Sequence, residues 1–148
     1  MKWMRNISHR FSKYRRDVRC EKVSERILVL IYSHRDADEA ASTIMSLMRT
    51  ASCPRHVSFG IYQEFDNVND ADVYNSCANL CVDDEELQMV DRLRIISRED
   101  AEASKGCMYG IREAYRSARK SEYFVCIVPC GVRAVSDWDA TWIRQYNK

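Results

Sequence analysis

Two unbroken runs of apolar residues constrain the fold of this chain more than any other feature of its sequence. They are Ile27–Tyr32 and Tyr123–Val128, and both are rich in β-branched or aromatic side chains. A strand with one face in water alternates apolar and polar residues, whereas a strand that is apolar throughout is buried on both faces, as in a parallel sheet covered by helices. The two runs therefore predict strands of a mostly parallel sheet.

Segments with the apolar spacing of helices separate these strands. One follows Asp36, with apolar residues from Ala40 to Met48, and another lies within Asp100–Lys120. The remaining predicted elements are the strands Val57–Tyr62 and Leu93–Ile96, an acidic loop over Gln63–Asp84, a short helix over Asp84–Val90, and a last helix that begins at Ser136 or Asp137. This alternation predicts an α/β fold, with a mostly parallel sheet flanked by helices and right-handed crossovers.

The length and the charge distribution predict one domain preceded by a basic arm. A chain of 148 residues suits a single hydrophobic core, so residues 25–148 are expected to form the domain. Residues 1–24 carry many Lys and Arg side chains among Trp3, Phe11 and Tyr14, and are predicted to be a basic arm or a peripheral helix. Such an arm could bind RNA, but a net charge of +1 disfavours nucleic acid as the partner.

The lengths of the apolar runs and the number of cysteines predict the cellular compartment of the protein. No run approaches the roughly 20 residues that span a bilayer, and the first residues lack the apolar core of a secretory signal, so we expect a cytoplasmic protein with no membrane partner. The seven cysteines, odd in number and irregular in spacing, are then expected to be free thiols. Cys77 with Cys81, or Cys126 with Cys130, could bind zinc together with a histidine, but structural thiols are the favoured interpretation.

Charged residues follow the first and the fourth predicted strands, at the edge of a parallel sheet where ligands bind. They lie in Ser33–Asp36 and in Pro129–Asp139. Arg35 and Asp36 offer planar groups to the edge of a nucleobase, His34 could stack on a base, and a helix amino terminus favours phosphate. The plainer alternative is that Asp36 only caps the following helix while Arg35 and His34 are solvated.

The order and spacing of several motifs resemble a glycosyltransferase family. They are Ile27–Ile31 leading into Ser33-His34-Arg35-Asp36, then Thr43, Cys53-Pro54-Arg55-His56-Val57, Gly60, Gln63, Ala103-Ser104-Lys105-Gly106, Ser121-Glu122-Tyr123-Phe124 and Asp137-Trp138-Asp139. In this order residues 27–142 resemble the GT-A-fold N-acetylglucosaminyltransferases. That family includes the enzyme that glycosylates a hydroxyproline on a ubiquitin-ligase adaptor, and it is also found in large DNA viruses.

The resemblance implies the nucleotide-sugar-binding half of a GT-A glycosyltransferase fold, with a UDP-linked donor. An active member would transfer a hexose or an N-acetylhexosamine to a protein or glycan acceptor that the sequence does not identify. Lys105 and Gly106 would bring a cation and an unobstructed backbone to the diphosphate, although a plain turn is an equal alternative. The implied nucleotide-binding residues are Ser33, His34, Arg35, Asp36, Lys105 and Gly106.

Departures from the family pattern leave catalysis open. The Asp-Ser-His metal motif of the family falls on Val128-Pro129-Cys130. The Arg that the family has early in the helix after Gly106 falls on Ile111, with Arg112 one place off. A full domain of this family is also expected to continue beyond Lys148 into an acceptor-binding half. Mn²⁺ or Mg²⁺ is therefore not favoured as a cofactor, and Asp137 and Asp139 are only weak candidate ligands.

Three functions remain open at this point. The leading hypothesis is a glycosyltransferase-like protein that binds a nucleotide sugar. The first alternative is a catalytically inactive module of the same fold that binds a nucleotide or another protein. The second alternative is an RNA-binding adaptor that acts through the basic arm.

Overall fold

A computed structural model describes residue 20 and residues 25–147. A 3-10 turn, Pro54–His56, precedes the second strand. In chain order the elements are β1 (Ile27–His34), α1 (Ala37–Thr50), β2 (Val57–Glu64), α2 (Val73–Leu80), α3 (Asp84–Val90), β3 (Arg94–Arg98), α4 (Cys107–Ala118), β4 (Phe124–Ile127) and α5 (Trp138–Tyr146).

The strands of the described region form one parallel sheet in the order β3-β2-β1-β4. β1 pairs with β2 from Ile27 opposite Val57 to His34 opposite Glu64, and it pairs with β4 on its other side. Helices cover both faces of this sheet, because residues of α1 and α4 pack in separate cores on either side of β1. The predicted α/β fold, with a parallel sheet flanked by helices, is confirmed.

The apolar run of β1 is explained by its central position. Ile27, Val29 and Ile31 pack with α1 in one core, whereas Leu28 and Leu30 pack against α4 in the other. All five side chains are at most 2% exposed. Burial of both faces removes the polar alternation that a half-exposed strand would show.

Glycines bring α4 into close contact with the sheet. A Cβ atom on Gly110 would lie 2.6 Å from the Tyr32 ring and 2.7 Å from the Tyr62 ring. At the other end of the helix, a Cβ atom on Gly60 would lie 2.7 Å from Cβ of Ala118. Only glycine leaves room for this separation, so these two positions set how deeply α4 packs on the sheet.

Three predicted segments differ from the structure. The run Tyr123–Val128, expected to be buried on both faces, contains the edge strand β4, in which Val125 and Ile127 are exposed. The acidic stretch expected to be a loop contains α2, because Val73 and Cys77 are buried and Asp72 caps the helix by accepting from the Asn75 N–H at 2.9 Å. The long helix expected from Asp100 begins only at Cys107, after Gly106 with a φ of 84°. The short helix expected over Asp84–Val90 is confirmed.

The expectation that all cysteines are free thiols is wrong. Cys20 and Cys53 form a disulfide across 33 residues of sequence, which ties the segment before β1 to the buried start of the 3-10 turn. The other five are free, and burial raises the pKa of Cys77 to about 12 and that of Cys126 to about 11. Those two pKa values describe inert structural thiols.

The expectations about membrane spans and about the basic arm can be compared with the structure only for the described residues. None of the helices within the described ranges is long and apolar enough to cross a membrane. The basic arm, residues 1–24, lies outside the described residues apart from Cys20. The arm and its boundary with the domain therefore stay predictions.

Candidate functional site

The strands end together at one edge of the sheet, called here the carboxyl edge, which contains His34, Glu64 and Arg98. The turn after β1 is joined to β2 by a hydrogen bond from the Arg35 N–H to the Glu64 carbonyl oxygen at 2.9 Å. The loop before α4 reaches the same edge through Ser104 and Lys105. The structure therefore brings Ser33–Asp36 and Lys105-Gly106 to one place, as the sequence suggested.

Glu64 is the centre of this edge, and its side chain is fully buried. Its Oε2 atom accepts from the Tyr32 hydroxyl at 2.7 Å and from the Ser104 hydroxyl, and lies 3.2 Å from His34 Nδ1. Its Oε1 atom accepts from the Lys105 N–H at 3.3 Å. One carboxylate thus connects β1, β2 and the loop before α4.

The hydrogen bonds around Glu64 determine its charge state. Burial disfavours the ionised form, but the donors from Ser104, Tyr32, His34 and the Lys105 backbone outweigh it and hold the pKa of Glu64 below its usual value. An ionised carboxylate that already accepts from four groups is a poor proton acceptor. The Ser104 hydroxyl donates to Glu64 and not to His34, so these two residues are not arranged as a nucleophile and its base. We conclude that Glu64 positions the site.

The turn after β1 is organised by Asp36. Its Oδ1 atom accepts from the Ser33 hydroxyl at 2.8 Å and from the His34 N–H at 2.9 Å. Asp36 occupies the cap position of α1 but makes no side-chain hydrogen bond to that helix, so the expected capping role is wrong. The carboxylate closes the turn instead and leaves the first amides of α1 without a side-chain cap.

Arg35 has a strained backbone and an occupied side chain. Its φ is 58°, in the left-handed region that costs energy for a residue with a Cβ atom and is often found at functional sites. Its Nε atom donates to Asp70 Oδ2 at 2.9 Å, and the same oxygen accepts from the Asp66 N–H. Arg35 is therefore a positioned ion-pair partner, and only its remaining nitrogen donors could face a ligand.

The amino terminus of α4 opens toward solvent beside the Glu64 network. Gly106 has a φ of 84°, and a Cβ atom there would meet nothing within 4 Å. Within the described residues no side chain caps α4. Lys105 Nζ lies 4.8 Å from the centre of the Tyr109 ring, and the Arg112 guanidinium lies 5.2 Å from it. The free amides and Lys105 favour an anionic group here, whereas Arg112 is already paired with Glu113 at 3.2 Å.

The segment that replaces the metal motif lies next to β1. The Val128 N–H donates to the Leu30 carbonyl oxygen at 2.9 Å, and Cys130 Sγ lies 3.3 Å from the Tyr32 carbonyl oxygen. This segment supplies an aliphatic side chain, an imino acid and a thiol, and burial raises the pKa of Cys130 to about 12. A hard divalent cation prefers oxygen ligands, which these side chains do not offer.

The weak metal candidates Asp137 and Asp139 lie at the other end of the sheet, and the interpretation as metal ligands at this site is wrong. Asp139 is 1% exposed and accepts from the N–H groups of Ser52 and Cys53 at 2.7 and 2.9 Å. Asp137 accepts from the Ser52 hydroxyl at 2.7 Å. These residues hold the loop after α1, and a helix of 14 residues separates them from Asp36 by about 20 Å.

Acidic side chains outnumber basic ones at the carboxyl edge. The acidic residues described above, Asp36, Glu64, Asp66 and Asp70, are joined by Asp38 and Glu39 in the first turn of α1. Glu39 lies 3.6 Å from Arg133, so that cation is also partly neutralised. The edge therefore suits the hydrogen-bonding groups of a base, ribose or sugar better than an unaccompanied phosphate.

Sequence reasoning missed Glu64 and Asp70, which organise the site. Glu64 lies two residues after the predicted strand Val57–Tyr62, at the strand end where ligand-binding residues are expected, whereas Asp70 is one of many acids in its stretch. In residues 25–147 no group of three or more His, Cys, Asp or Glu side chains is arranged to hold a metal ion. No protein-family model matches this chain, and a search of curated proteins found no significant match.

Proposed function

We propose that the carboxyl edge binds a nucleotide sugar, with UDP as the nucleotide. The observation that carries the proposal is the Glu64 network, because it holds the turn at His34 and the loop at Lys105 in one fixed arrangement. Preorganised donors on two loops at the ends of parallel strands are typical of nucleotide sites in α/β proteins.

The parts of such a ligand match different groups at this edge. The half-exposed His34 ring is nearly parallel to the Tyr32 ring, with 6.5 Å between their centres, and offers a flat surface for a base. The free amides of α4 and Lys105 suit the diphosphate. The carboxylates suit the ribose and sugar hydroxyls, because they would accept hydrogen bonds from them.

Binding without transfer is better supported than catalysis. Departure of the diphosphate concentrates negative charge, which an active enzyme stabilises with a metal or with cations. The segment at Val128 offers no carboxylate, and Arg133 is close to Glu39. This observation favours the alternative of a catalytically inactive binding module over a transferase. The RNA-binding alternative depends on the arm outside the described residues.

Calorimetric titration with UDP tests the proposal. Arg35→Ala and Lys105→Ala should each weaken UDP binding by about 1–3 kcal/mol, because each removes a charged donor. Arg116→Ala is the matched control, since Arg116 is an exposed cation of the same domain that pairs with Glu113 at 3.3 Å. Unchanged UDP affinity in both site variants would exclude this edge as the nucleotide site.

The same titration with Mn²⁺ separates binding from catalysis. UDP affinity should hardly respond to Mn²⁺, and transfer or hydrolysis of a UDP-sugar should be undetectable, because Val128 replaces the metal-binding acid. Metal-free turnover that is lost in Lys105→Ala or Arg133→Ala would instead show an enzyme in which cations replace the metal.

A further inference from the structure

A cleft of about 240 Å³ lies at the opposite end of the sheet, where the strands begin. We call this end the amino edge. Arg26 precedes β1 and Arg94 begins β3, and both line the cleft together with Lys120, which follows α4. This site is separated from the Glu64 network by the length of the strands.

The cleft is strongly cationic. Five basic side chains and one acidic side chain line it: Arg26, Arg55, Arg92, Arg94 and Lys120, with Glu122. All five basic residues are exposed. Among the described residues, the side chains of Arg26, Arg92, Arg94 and Lys120 have no acidic partner, in contrast to Arg35 and Arg49 elsewhere in the domain.

Glu122 offsets only one of the five positive charges of the cleft. It is 8% exposed, and its Oε2 atom accepts from the Lys120 N–H at 2.7 Å. Although burial disfavours its ionised form, that hydrogen bond, together with others from its own backbone and from the Ser58 hydroxyl, holds its pKa below the usual value. Its oxygen atoms accept hydrogen bonds within the protein, and among the described residues it forms no ion pair with Arg26, Arg94 or Lys120.

The floor of the cleft is apolar. Met48 and Phe59 are each 4% exposed and belong to the main core, and Val57 and Leu93 are half-buried beside them. A cationic rim over an apolar floor suits a ligand with a charged head and a short carbon body. Guanidinium groups bind phosphate through paired N–H donors, which favours phosphate over a single carboxylate.

The volume limits the size of the ligand. Pockets for drug-sized ligands are typically about 300–1,000 Å³, so a complete sugar nucleotide exceeds this space. A phosphate group with a few carbon atoms fits it.

We propose that the amino-edge cleft binds a small phosphate monoester through Arg26, Arg94 and Lys120. The phosphate lies among these cations, and the carbon part rests on Met48 and Phe59. The ester is either a free metabolite or a phosphorylated side chain of another protein, since both present the same group. This site is independent of the nucleotide site proposed at the carboxyl edge.

Isothermal titration of the full chain tests this proposal, with glycerol 3-phosphate as the small-molecule probe and a short phosphoserine peptide as the protein-derived probe. At least one probe should bind, while glycerol and the unphosphorylated peptide should not. The probe that binds more tightly identifies the source. Arg94→Ala and the double variant Arg26→Ala/Arg94→Ala should weaken binding by at least about tenfold. Urea unfolding curves of these variants verify that the exposed substitutions leave the fold intact.

Controls separate a built site from general attraction to positive charge. Arg116→Ala removes an exposed cation outside the cleft and should leave the affinity unchanged. Equal losses in Arg94→Ala and Arg116→Ala would overturn the proposal, as would the absence of binding by either probe. Binding of a single-stranded RNA that neither probe displaces would assign the cations to nucleic acid instead. UDP should not compete with the bound probe, so failure here leaves the nucleotide proposal untouched.

Discussion

Replacing Glu64 with glutamine tests the centre of the carboxyl edge most directly. The substitution keeps the shape of the side chain but removes the charge and turns one acceptor into an N–H₂ donor. A hydrogen bond to a charged group contributes about 1.5–3 kcal/mol, and the buried carboxylate accepts from four donors. The hydroxyl groups of Tyr32 and Ser104 can rotate and accept from the new amide, so the losses do not add. We expect Glu64→Gln to lower the free energy of unfolding by about 2–4 kcal/mol.

The pH dependence of the difference in unfolding free energy between the wild type and Glu64→Gln gives a second test. The folded-state pKa of Glu64 lies below its usual value of 4.5, so its stabilisation is fully present above that value. As the pH falls through the folded-state pKa, the wild type protonates and the stabilisation is lost. Urea unfolding should therefore show a constant gap between wild type and Glu64→Gln from pH 7 to about pH 5, and a shrinking gap in more acidic buffer.

The control for this experiment is Glu99→Gln. Glu99 is an exposed carboxylate that follows β3 at the same edge and accepts from Asn67 Nδ2 at 3.0 Å. Its substitution should change the free energy of unfolding by no more than about 0.5 kcal/mol, as is usual for exposed positions. If Glu64→Gln unfolds at the same urea concentration as Glu99→Gln, then Glu64 does not organise the edge and the argument for a preorganised site fails.

Two further predictions concern the packing and the covalent link. Gly110→Ala should destabilise the domain by about 1–3 kcal/mol, because the new Cβ atom would overlap the Tyr32 ring. This overlap outweighs the higher helix propensity of alanine. An unchanged or higher midpoint of urea unfolding would contradict the prediction. Reduction of the Cys20–Cys53 disulfide should lower the free energy of unfolding by about 2–4 kcal/mol. Cys20→Ser should show the same lower value and should not respond to reductant. A wild-type protein whose unfolding is unchanged by reductant would contradict the disulfide.

The fold could be predicted because hydrophobic patterning repeats along the chain. β1 is apolar throughout since it is buried on both faces, and the helical spacing from Ala40 to Met48 places one side of α1 in a core. Such signals are local in sequence and need no knowledge of tertiary contacts. α2 escaped prediction because Val73 and Cys77 are the main apolar anchors in an acidic stretch, too few to reveal a helical period.

The organisation of the site could not be predicted to the same degree. The turn at Ser33–Asp36 and the loop at Lys105 were identified as candidates, but Glu64 connects them through contacts between residues up to 41 positions apart. The position of Glu64 after a predicted strand places it at this edge, but nothing in the sequence distinguishes it among 22 acidic residues as the one that connects the two loops. Similarly, the pattern at Asp137–Asp139 suited a cation until the structure showed that Asp139 binds the backbone of the loop after α1.

More acidic than basic side chains lie at the carboxyl edge, and more basic than acidic ones line the amino-edge cleft, so charge is separated along the strands. A net charge of +1 conceals this separation, because opposite charges cancel in the sum but not in the field they produce. At 0.1 M salt the field of either edge acts within about 10 Å, so an approaching charged molecule is attracted by one edge and repelled by the other. Phosphate monoesters are thus attracted to Arg26 and Arg94, whereas the nucleotide proposed at the carboxyl edge depends on local donors, Lys105 and the first amides of α4, rather than on the surrounding charge.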